Sequence, residues 1–142
     1  MADRALIDLS RYRLEKASEM YAAALRDLRE EDYASANNRA YYSIFHAMRA
    51  VLALDGEDYK KHSAVIARFT LNYLKTDILS RDYGTLIANA ALIRNRSDYE
   101  DFYICSVEDT NRLVEGARRF LDDIKKYADT RYTTVESGGV IP

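Results

Sequence analysis

The sequence contains a polar run at residues 94–99 whose side chains could bind a phosphate group and act on it. The run reads Arg-Asn-Arg-Ser-Asp-Tyr and directly follows Ile93, the last member of an apolar helical stripe. Guanidinium groups bind phosphate oxygens through paired hydrogen bonds, which makes Arg94 and Arg96 candidate phosphate ligands. The alternative is an ordinary helix end, where arginine compensates the negative pole of the helix dipole and Asn and Asp favour the exit turn.

A second candidate group lies on one side of a predicted helix. Its members are Arg39, Tyr42, His46 and Arg49, which are spaced three, four and three residues apart. At ~100° per residue they fall within an arc of ~80°. This arc lies away from the apolar stripe of the same helix, formed by Tyr41, Phe45, Met48 and Leu52. Two guanidinium groups, an imidazole and a phenol could together bind a phosphate, and the alternative is a solvated or subunit-facing edge.

Residue types and spacing exclude other common sites. The sequence has no Gly-rich phosphate loop, no HExxH helix and no Cys/His pair at metal-ligand spacing. Its two histidines, His46 and His62, are too few for a multi-histidine metal site. The single cysteine, Cys105, is interpreted as a small apolar residue near a helix start. We therefore expect neither a metal nor a cofactor.

The composition indicates one cytoplasmic domain. At 142 residues the chain is long enough to bury a core without disulfides or metal, and a single cysteine fits a reducing compartment. No apolar run approaches the ~20 residues that span a bilayer, and the start lacks the pattern of a signal peptide. The formal charge of −2 argues against a protein that holds nucleic acid by bulk electrostatics. Any contact with RNA must therefore use a local patch.

The helical period predicts an all-α fold, an antiparallel bundle of four to five helices. One proline and five glycines favour long helices over a turn-rich fold. Five helices are predicted. The first covers about residues 10–30, and the second runs from a cap at Asp32 to about residue 54. The third follows His62, the fourth begins at a cap on Ser80 and the fifth at a cap on Ser106. Gly56 is predicted to stop the second helix. Residues 1–130 form the domain, and residues 131–142, where the period fails, are expected to be a flexible tail.

Three segments carry a resemblance to the HEPN superfamily. Residues 40–50, with the sequence AYYSIFHAMRA, resemble a helix motif of its small stand-alone, UPF0332-like branch. Residues 61–66 are similar to the next element of that branch, and residues 94–99 to its R-x-x-A-D-Y element. The order and the spacing also match, and the resemblance covers approximately residues 10–128.

The resemblance implies a helical bundle that commonly forms homodimers. Such proteins are often encoded beside a minimal nucleotidyltransferase, as toxin and antitoxin. Many HEPN domains are metal-independent ribonucleases with an R-x4–6-H motif, in which an Arg and a His from each subunit meet across the dimer. Arg94 and Asn95 match the start of that motif, whereas position 99 is Tyr and the last histidine of the chain is His62.

Metal-free RNA cleavage requires a base for the 2′-hydroxyl proton, an acid for the leaving oxygen and cations for the phosphorane charge. Arg94 and Arg96 would supply the cations, whereas Tyr99, with a reference pKa of ~10, is a poor base and at best a weak acid. His46 replaces the missing imidazole if the second and fourth helices bring it beside Arg94, and His62 is the backup. The predicted catalytic residues are therefore Arg94, His46 and Tyr99.

Three functions stay open. The first is an RNA- or nucleotide-associated protein that forms one half of a toxin–antitoxin-type pair with a nucleotidyltransferase and need not cleave RNA. The second is an active metal-independent ribonuclease toxin, and the third is a purely structural dimerisation module. The expected partners are a second copy of the chain, RNA or a nucleotide, and the nucleotidyltransferase, with no membrane. The predicted phosphate- or RNA-binding residues are Arg39, Tyr42, Arg49, Asn95, Arg96 and Asp98.

Overall fold

The computed structural model describes residues 4–99 and 104–136, except the side chains of Asp98, Val135 and Glu136. This part of the chain forms α1 (Arg4–Arg29), α2 (Tyr33–Leu54), α3 (His62–Phe69), α4 (Tyr83–Tyr99) and α5 (Val107–Glu136), with a π-helical turn, Thr70–Leu74, directly after α3. It contains no strand, and the predicted all-α bundle is confirmed. Among its helices, none is long and apolar enough to cross a membrane.

α1 and α2 form a hairpin whose turn is set by local side chains. Glu31 in the turn adopts a φ of 59°. Asp32 caps α2, as predicted, because its carboxylate accepts a hydrogen bond from the Ser35 amide at 3.3 Å. The helices approach closely through small residues, and Ser43 of α2 donates a hydrogen bond to the carbonyl of the fully buried Ala17 at 2.8 Å. This hydrogen bond therefore joins the two helices where they pack.

α2 is the central helix and contacts each of the other four helices. Its predicted apolar stripe is buried, and so are four apolar residues that recur at helical spacing in α5. The buried members are Tyr41, Phe45, Met48 and Leu52 in α2 and Leu113, Ala117, Phe120 and Ile124 in α5. Burial of one large apolar side chain contributes about 1.5–3 kcal/mol. This stripe therefore fixes the rotation of α2 about its axis and, with it, the direction of the polar side.

Residues 55–61 connect α2 to α3 and are held by three carboxylates. Gly56 ends α2 with a φ of 73°, as predicted. The carboxylates contact side chains of four helices and of the π-helical turn: Asp55 contacts Tyr73 and Arg131, Glu57 contacts Arg68 and Asn72, and Asp58 contacts Arg13 and Arg49. The segment therefore carries His62, the first residue of α3, to a fixed place beside α2.

The start of α4 differs from the prediction. The helix begins at Tyr83 rather than at a cap on Ser80, because the backbone from Ser80 first makes a tighter turn with hydrogen bonds between residues three apart. The buried face of α4 includes Ile87 and Ala90. Residues 94–99 form the last turns of α4 itself, so the polar run is helical.

The flexible tail predicted for residues 131–142 begins too early, since α5 continues to Glu136. Arg131 donates a hydrogen bond to the last carbonyl of α2 at 3.1 Å. Tyr132 is 5% exposed, and its hydroxyl hydrogen-bonds the buried Ser10 of α1 at 2.6 Å. These tertiary contacts, rather than an apolar period, hold the last turns of α5. The remainder of the predicted tail lies outside the described residues.

Candidate functional site

Arg94 lies against the aromatic side of α2. Its guanidinium carbon is 5.3 Å from the centre of the Tyr41 ring and 5.6 Å from the centre of the Tyr42 ring. The two rings stand at 85° to each other, so the guanidinium group contacts two differently oriented aromatic surfaces. Cation–π attraction at both rings favours one position of the charge. The packing of α4 on α2 therefore holds Arg94 between the two helices.

His62 lies on the same side of α2 and, together with Tyr41, Phe45 and Arg94, forms the aromatic cluster. Its Nδ1 atom lies 2.7 Å from the hydroxyl of Tyr41, and its ring stacks on Phe45 with the centroids 4.1 Å apart. Burial lowers the pKa of His62, and the positive charges of Arg94 and Arg49 lower it further. The imidazole is therefore neutral at pH 7 and able to accept a proton.

Arg94 also lines a polar cavity between the first turns of α2 and the last turns of α4. The cavity has a volume of about 230 Å³ and is lined by Ala34, Ser35, Asn38, Arg39, Arg94 and Ser97. Arg39 in addition pairs with Asp27, 3.8 Å away. Guanidinium, amide and hydroxyl groups all donate hydrogen bonds to an anion. Two arginines that the sequence predicts for the site, on different helices, thus line one cavity.

His46, the imidazole predicted to act beside Arg94, lies one helical turn from Tyr42, with the two ring centroids 6.1 Å apart. Burial lowers the pKa of His46, and neighbouring cations of α1 and α2, led by Arg49, lower it further. At His62 the leading cation is instead Arg94. Arg49 thus acts on both imidazoles, whereas Arg94 is a cause of the shift at His62 and not at His46. The catalytic role of His46 stays a prediction.

Most of the chain matches the model of a known protein family. The family model described as HEPN domain matches residues 10–127, which include α2, α3, α4 and most of α5. This chain belongs to the HEPN family. The match contains all three segments on which the sequence resemblance rests.

Relatives of this HEPN chain extend over most of its length. A UPF0332 protein of Thermotoga maritima is 31% identical over 99 residues, which cover 70% of this chain and 75% of the relative. Two proteins of Methanocaldococcus jannaschii, each named "Putative toxin", match 80% of this chain. One is 32% identical over 113 residues and 84% of its own length, and the other is 31% identical over 114 residues and 78% of its length. The predicted UPF0332-like branch is confirmed.

The rest of the polar run in this HEPN domain is mainly exposed. Asn95 and Arg96 are exposed, and Tyr99 is 82% exposed. Arg96 lines a different cavity, between α4 and α5, whereas Arg94 faces α2. The side chain of Asp98, another predicted ligand, lies outside the described residues. The run therefore divides into one residue in the aromatic cluster and several on the surface.

Arg49, a predicted phosphate ligand of the HEPN domain, already contacts an internal anion. Its guanidinium group donates a hydrogen bond to Asp58 at 2.8 Å. Arg13 of α1, which is buried, donates to the same carboxylate oxygen at 3.1 Å and to the carbonyl of Arg49 at 3.3 Å. The hydrogen bond from Arg49, and then that from Arg13, lower the pKa of Asp58. The carboxylate is therefore ionised at neutral pH.

Two features of the site were not predicted: the polar contact of Tyr41 and the pair formed by Arg13 and Asp58. Tyr41 belongs to the predicted apolar stripe and is 2% exposed, yet its hydroxyl reaches His62. A buried tyrosine hydroxyl needs a hydrogen-bond partner, and this requirement could have indicated a polar group near the stripe. Across residues 4–99 and 104–136, no group of three or more His, Cys, Asp or Glu side chains is arranged to hold a metal ion.

Proposed function

We propose that this chain is a toxin-like HEPN protein that binds phosphate groups of RNA or of a nucleotide at Arg94. It forms one half of a toxin–antitoxin-type pair with a nucleotidyltransferase. The observation that carries the proposal is the cavity that Arg94 and Arg39 line together. A protein of formal charge −2 must bind RNA through a local cationic site, and this cavity supplies one.

The chemistry of the cavity suits a phosphate better than a carbonyl or an apolar ligand. Each guanidinium group offers several N–H donors in a planar fork, which matches the oxygens of a phosphate. Ser35, Asn38 and Ser97 add donors around the two arginines. The aromatic contacts of Arg94 orient its fork before a ligand arrives, so less conformational entropy is lost on binding.

The toxin-like part of the proposal is supported by the two Methanocaldococcus jannaschii relatives, each of which is named "Putative toxin" and matches 80% of the chain. The nucleotidyltransferase partner follows from the family resemblance. Co-expression provides the simplest check on the pair. We expect expression of the chain alone to slow bacterial growth. Co-expression of an adjacent nucleotidyltransferase gene should restore normal growth.

Phosphate binding is tested with a fluorescein-labelled 2′-O-methyl oligouridylate, which carries the phosphates of RNA but lacks the hydroxyl that cleavage requires. We expect Arg94→Ala to weaken binding by at least about tenfold, because a hydrogen bond to a charged group contributes about 1.5 kcal/mol or more. Arg81→Ala is the matched control, since Arg81 is a surface arginine paired with Asp77. Equal affinity of Arg94→Ala and the parent would refute the site, provided that both melt at the same temperature.

A second candidate function, a metal-independent ribonuclease toxin, is favoured by one observation. His62, whose lowered pKa keeps it neutral at pH 7, has Arg94 as its leading neighbouring cation and a hydrogen bond to Tyr41 that orients its ring. A neutral imidazole beside a phosphate-binding arginine supplies the base and the cation that RNA cleavage needs. His46 and Tyr99 remain the other candidates for proton transfer.

The ribonuclease candidate is tested with unmodified RNA in the presence of a chelator. If His62 is the base, His62→Asn lowers the cleavage rate by about 100-fold or more, whereas His46→Gln leaves it near the parent rate. The opposite result assigns the role to His46. No cleavage by the parent protein would dismiss this candidate and leave the binding function as proposed above.

A further inference from the structure

The pair of arginines around Asp58 has the composition of an anion-binding site that is already filled. The side chain of Asp58 is 58% exposed, whereas that of Arg13 is only 10% exposed and that of Arg49 25%. An exposed carboxylate thus rests on two less exposed guanidinium groups. The arginines form the more buried side of the contact, and the carboxylate forms the side that faces solvent.

Positive charge exceeds negative charge at this place. The neighbouring groups that lower the pKa of His46 are, in order, Arg49, Lys16 and Arg13, after the effect of burial. Asp58 is the carboxylate that hydrogen-bonds the two arginines. Arg13 and Arg49 therefore hold one carboxylate between them, and Lys16, about one turn after Arg13 on α1, adds a third positive charge that acts on His46, in a chain whose formal charge is −2. Such a local excess attracts a polyanion, which brings several negative charges close together.

The arginines that bind Asp58 lie next to the site at Arg94. The guanidinium carbon of Arg49 lies 5.9 Å from the centre of the Phe45 ring, which stacks on His62. Arg94 and Arg49 both lower the pKa of His62, so the imidazole lies within the electrostatic reach of both arginines. The half-buried rings of Tyr42 and His46 follow one another on α2 between these two cations.

We propose that Arg13, Lys16 and Arg49 form a second phosphate-binding site for the same single-stranded RNA, and that Asp58 fills this site until the RNA displaces it. The inference rests on the proposed function, because it takes RNA phosphate at Arg94 as the first contact. Single-stranded nucleic acid is the ligand that brings repeated phosphates along a track of cations and aromatic rings. The backbone phosphate carries a full charge and two acceptor oxygens to the arginines, as the carboxylate does.

The first test removes the charge of Asp58, which in this proposal competes with RNA for the arginines. Asp58→Asn keeps the size of the side chain and removes its charge, so we expect the 2′-O-methyl oligouridylate to bind about two- to fivefold more tightly. Asp77→Asn is the matched control, because it removes the same charge and likewise frees an exposed arginine, Arg81, from an ion pair. An increase in Asp58→Asn alone shows competition at this site rather than a general change of charge.

Lys16 provides a second test that does not disturb the pair. Lys16→Ala should weaken binding and reduce the slope of log affinity against log salt concentration by about 0.7, as expected for one lost phosphate contact to a single strand. Lys126→Ala, which removes an exposed lysine of α5, should change neither quantity.

The outcomes separate this inference from the function on which it rests. If RNA binds in an Arg94-dependent manner, but Asp58→Asn behaves like Asp77→Asn and Lys16→Ala like Lys126→Ala, the second site is refuted and the proposed function stands. If the parent and every variant fail to bind RNA, both the second site and RNA binding at Arg94 are refuted. Thermal melting of each variant, followed by circular dichroism, verifies that the compared proteins are folded.

Discussion

The hydroxyl of Tyr41, in the middle of α2, lies 2.7 Å from Nδ1 of His62, the first residue of α3. This contact ties the end of a long connecting segment to the central helix and fixes the plane of the imidazole ring. Burial raises the pKa of Tyr41, so its hydroxyl stays protonated at neutral pH. With Nδ1 engaged, Nε2 is the nitrogen of His62 that is left for a ligand.

The two histidines make the stability of the domain dependent on pH. The pKa values of His62 and His46 are both lowered in the folded state, whereas histidine in the unfolded chain titrates near ~6.5. Below this pH the unfolded state binds more protons than the folded state, so the free energy of unfolding falls as the pH drops from 7 towards 5. Urea denaturation across this range measures the effect. A double variant, His62→Asn with His46→Gln, should show a flatter profile, and a parent that gains stability on acidification would contradict the prediction.

The last turns of α5 should contribute measurably to stability. Tyr132→Phe removes the hydrogen bond to Ser10 and leaves a buried serine hydroxyl without this partner, which should lower the free energy of unfolding by about 1–2 kcal/mol. Tyr12→Phe is the control, because Tyr12 is 56% exposed and its variant should match the parent. Chemical denaturation of the three proteins decides the matter, and equal midpoints for all of them would argue against the anchoring role.

The end of α2 depends on the backbone freedom of Gly56. Its φ of 73° is strained for any residue with a Cβ, whereas no atom lies within 4 Å of the place that a Cβ would occupy. Gly56→Ala should therefore cost about 1–2 kcal/mol through the backbone alone. Gly84→Ala, in the first turn of α4, meets its nearest side chain at 3.9 Å and should leave stability unchanged or slightly higher. Denaturation midpoints that rank the two variants in the reverse order would refute this account.

The aromatic contacts of Arg94 should matter apart from its charge. Arg94→Lys keeps the positive charge but loses the planar group that faces Tyr41 and Tyr42, so the oligouridylate should bind about two- to fivefold more weakly than to the parent. Arg39→Lys, at an exposed side chain, should have a smaller effect. Fluorescence anisotropy measures both affinities. Parent-like binding by Arg94→Lys would mean that charge alone is sufficient.

Most of the helices, and the helix ends at Asp32 and Gly56, could be predicted because their causes are local. Asp32 and Gly56 act on backbone groups a few residues away, and the stripe that includes Tyr41 and Phe45 follows directly from the helical period. The all-α class and the burial of α2 rest on the same local signals.

The position of His62 and the end of α5 could not be predicted in the same way. His62 follows a segment whose path depends on partners from distant parts of the chain, such as Arg13 and Arg131. Tyr132 is held by a hydrogen bond to Ser10, 122 residues earlier in the chain, and the sequence around Tyr132 does not indicate that partner. Because these contacts are tertiary, the helical period of the sequence around residue 130 does not indicate them.

Connections between helices usually tolerate insertions and deletions, because they run over the surface and make few specific contacts. Residues 55–61 form an exception, since three of these seven residues each pair with a different arginine or pair of arginines. One added or deleted residue would shift all three carboxylates at once, and no single compensating change could restore them. Variation in chain length within this family should therefore spare this connection and concentrate in other turns.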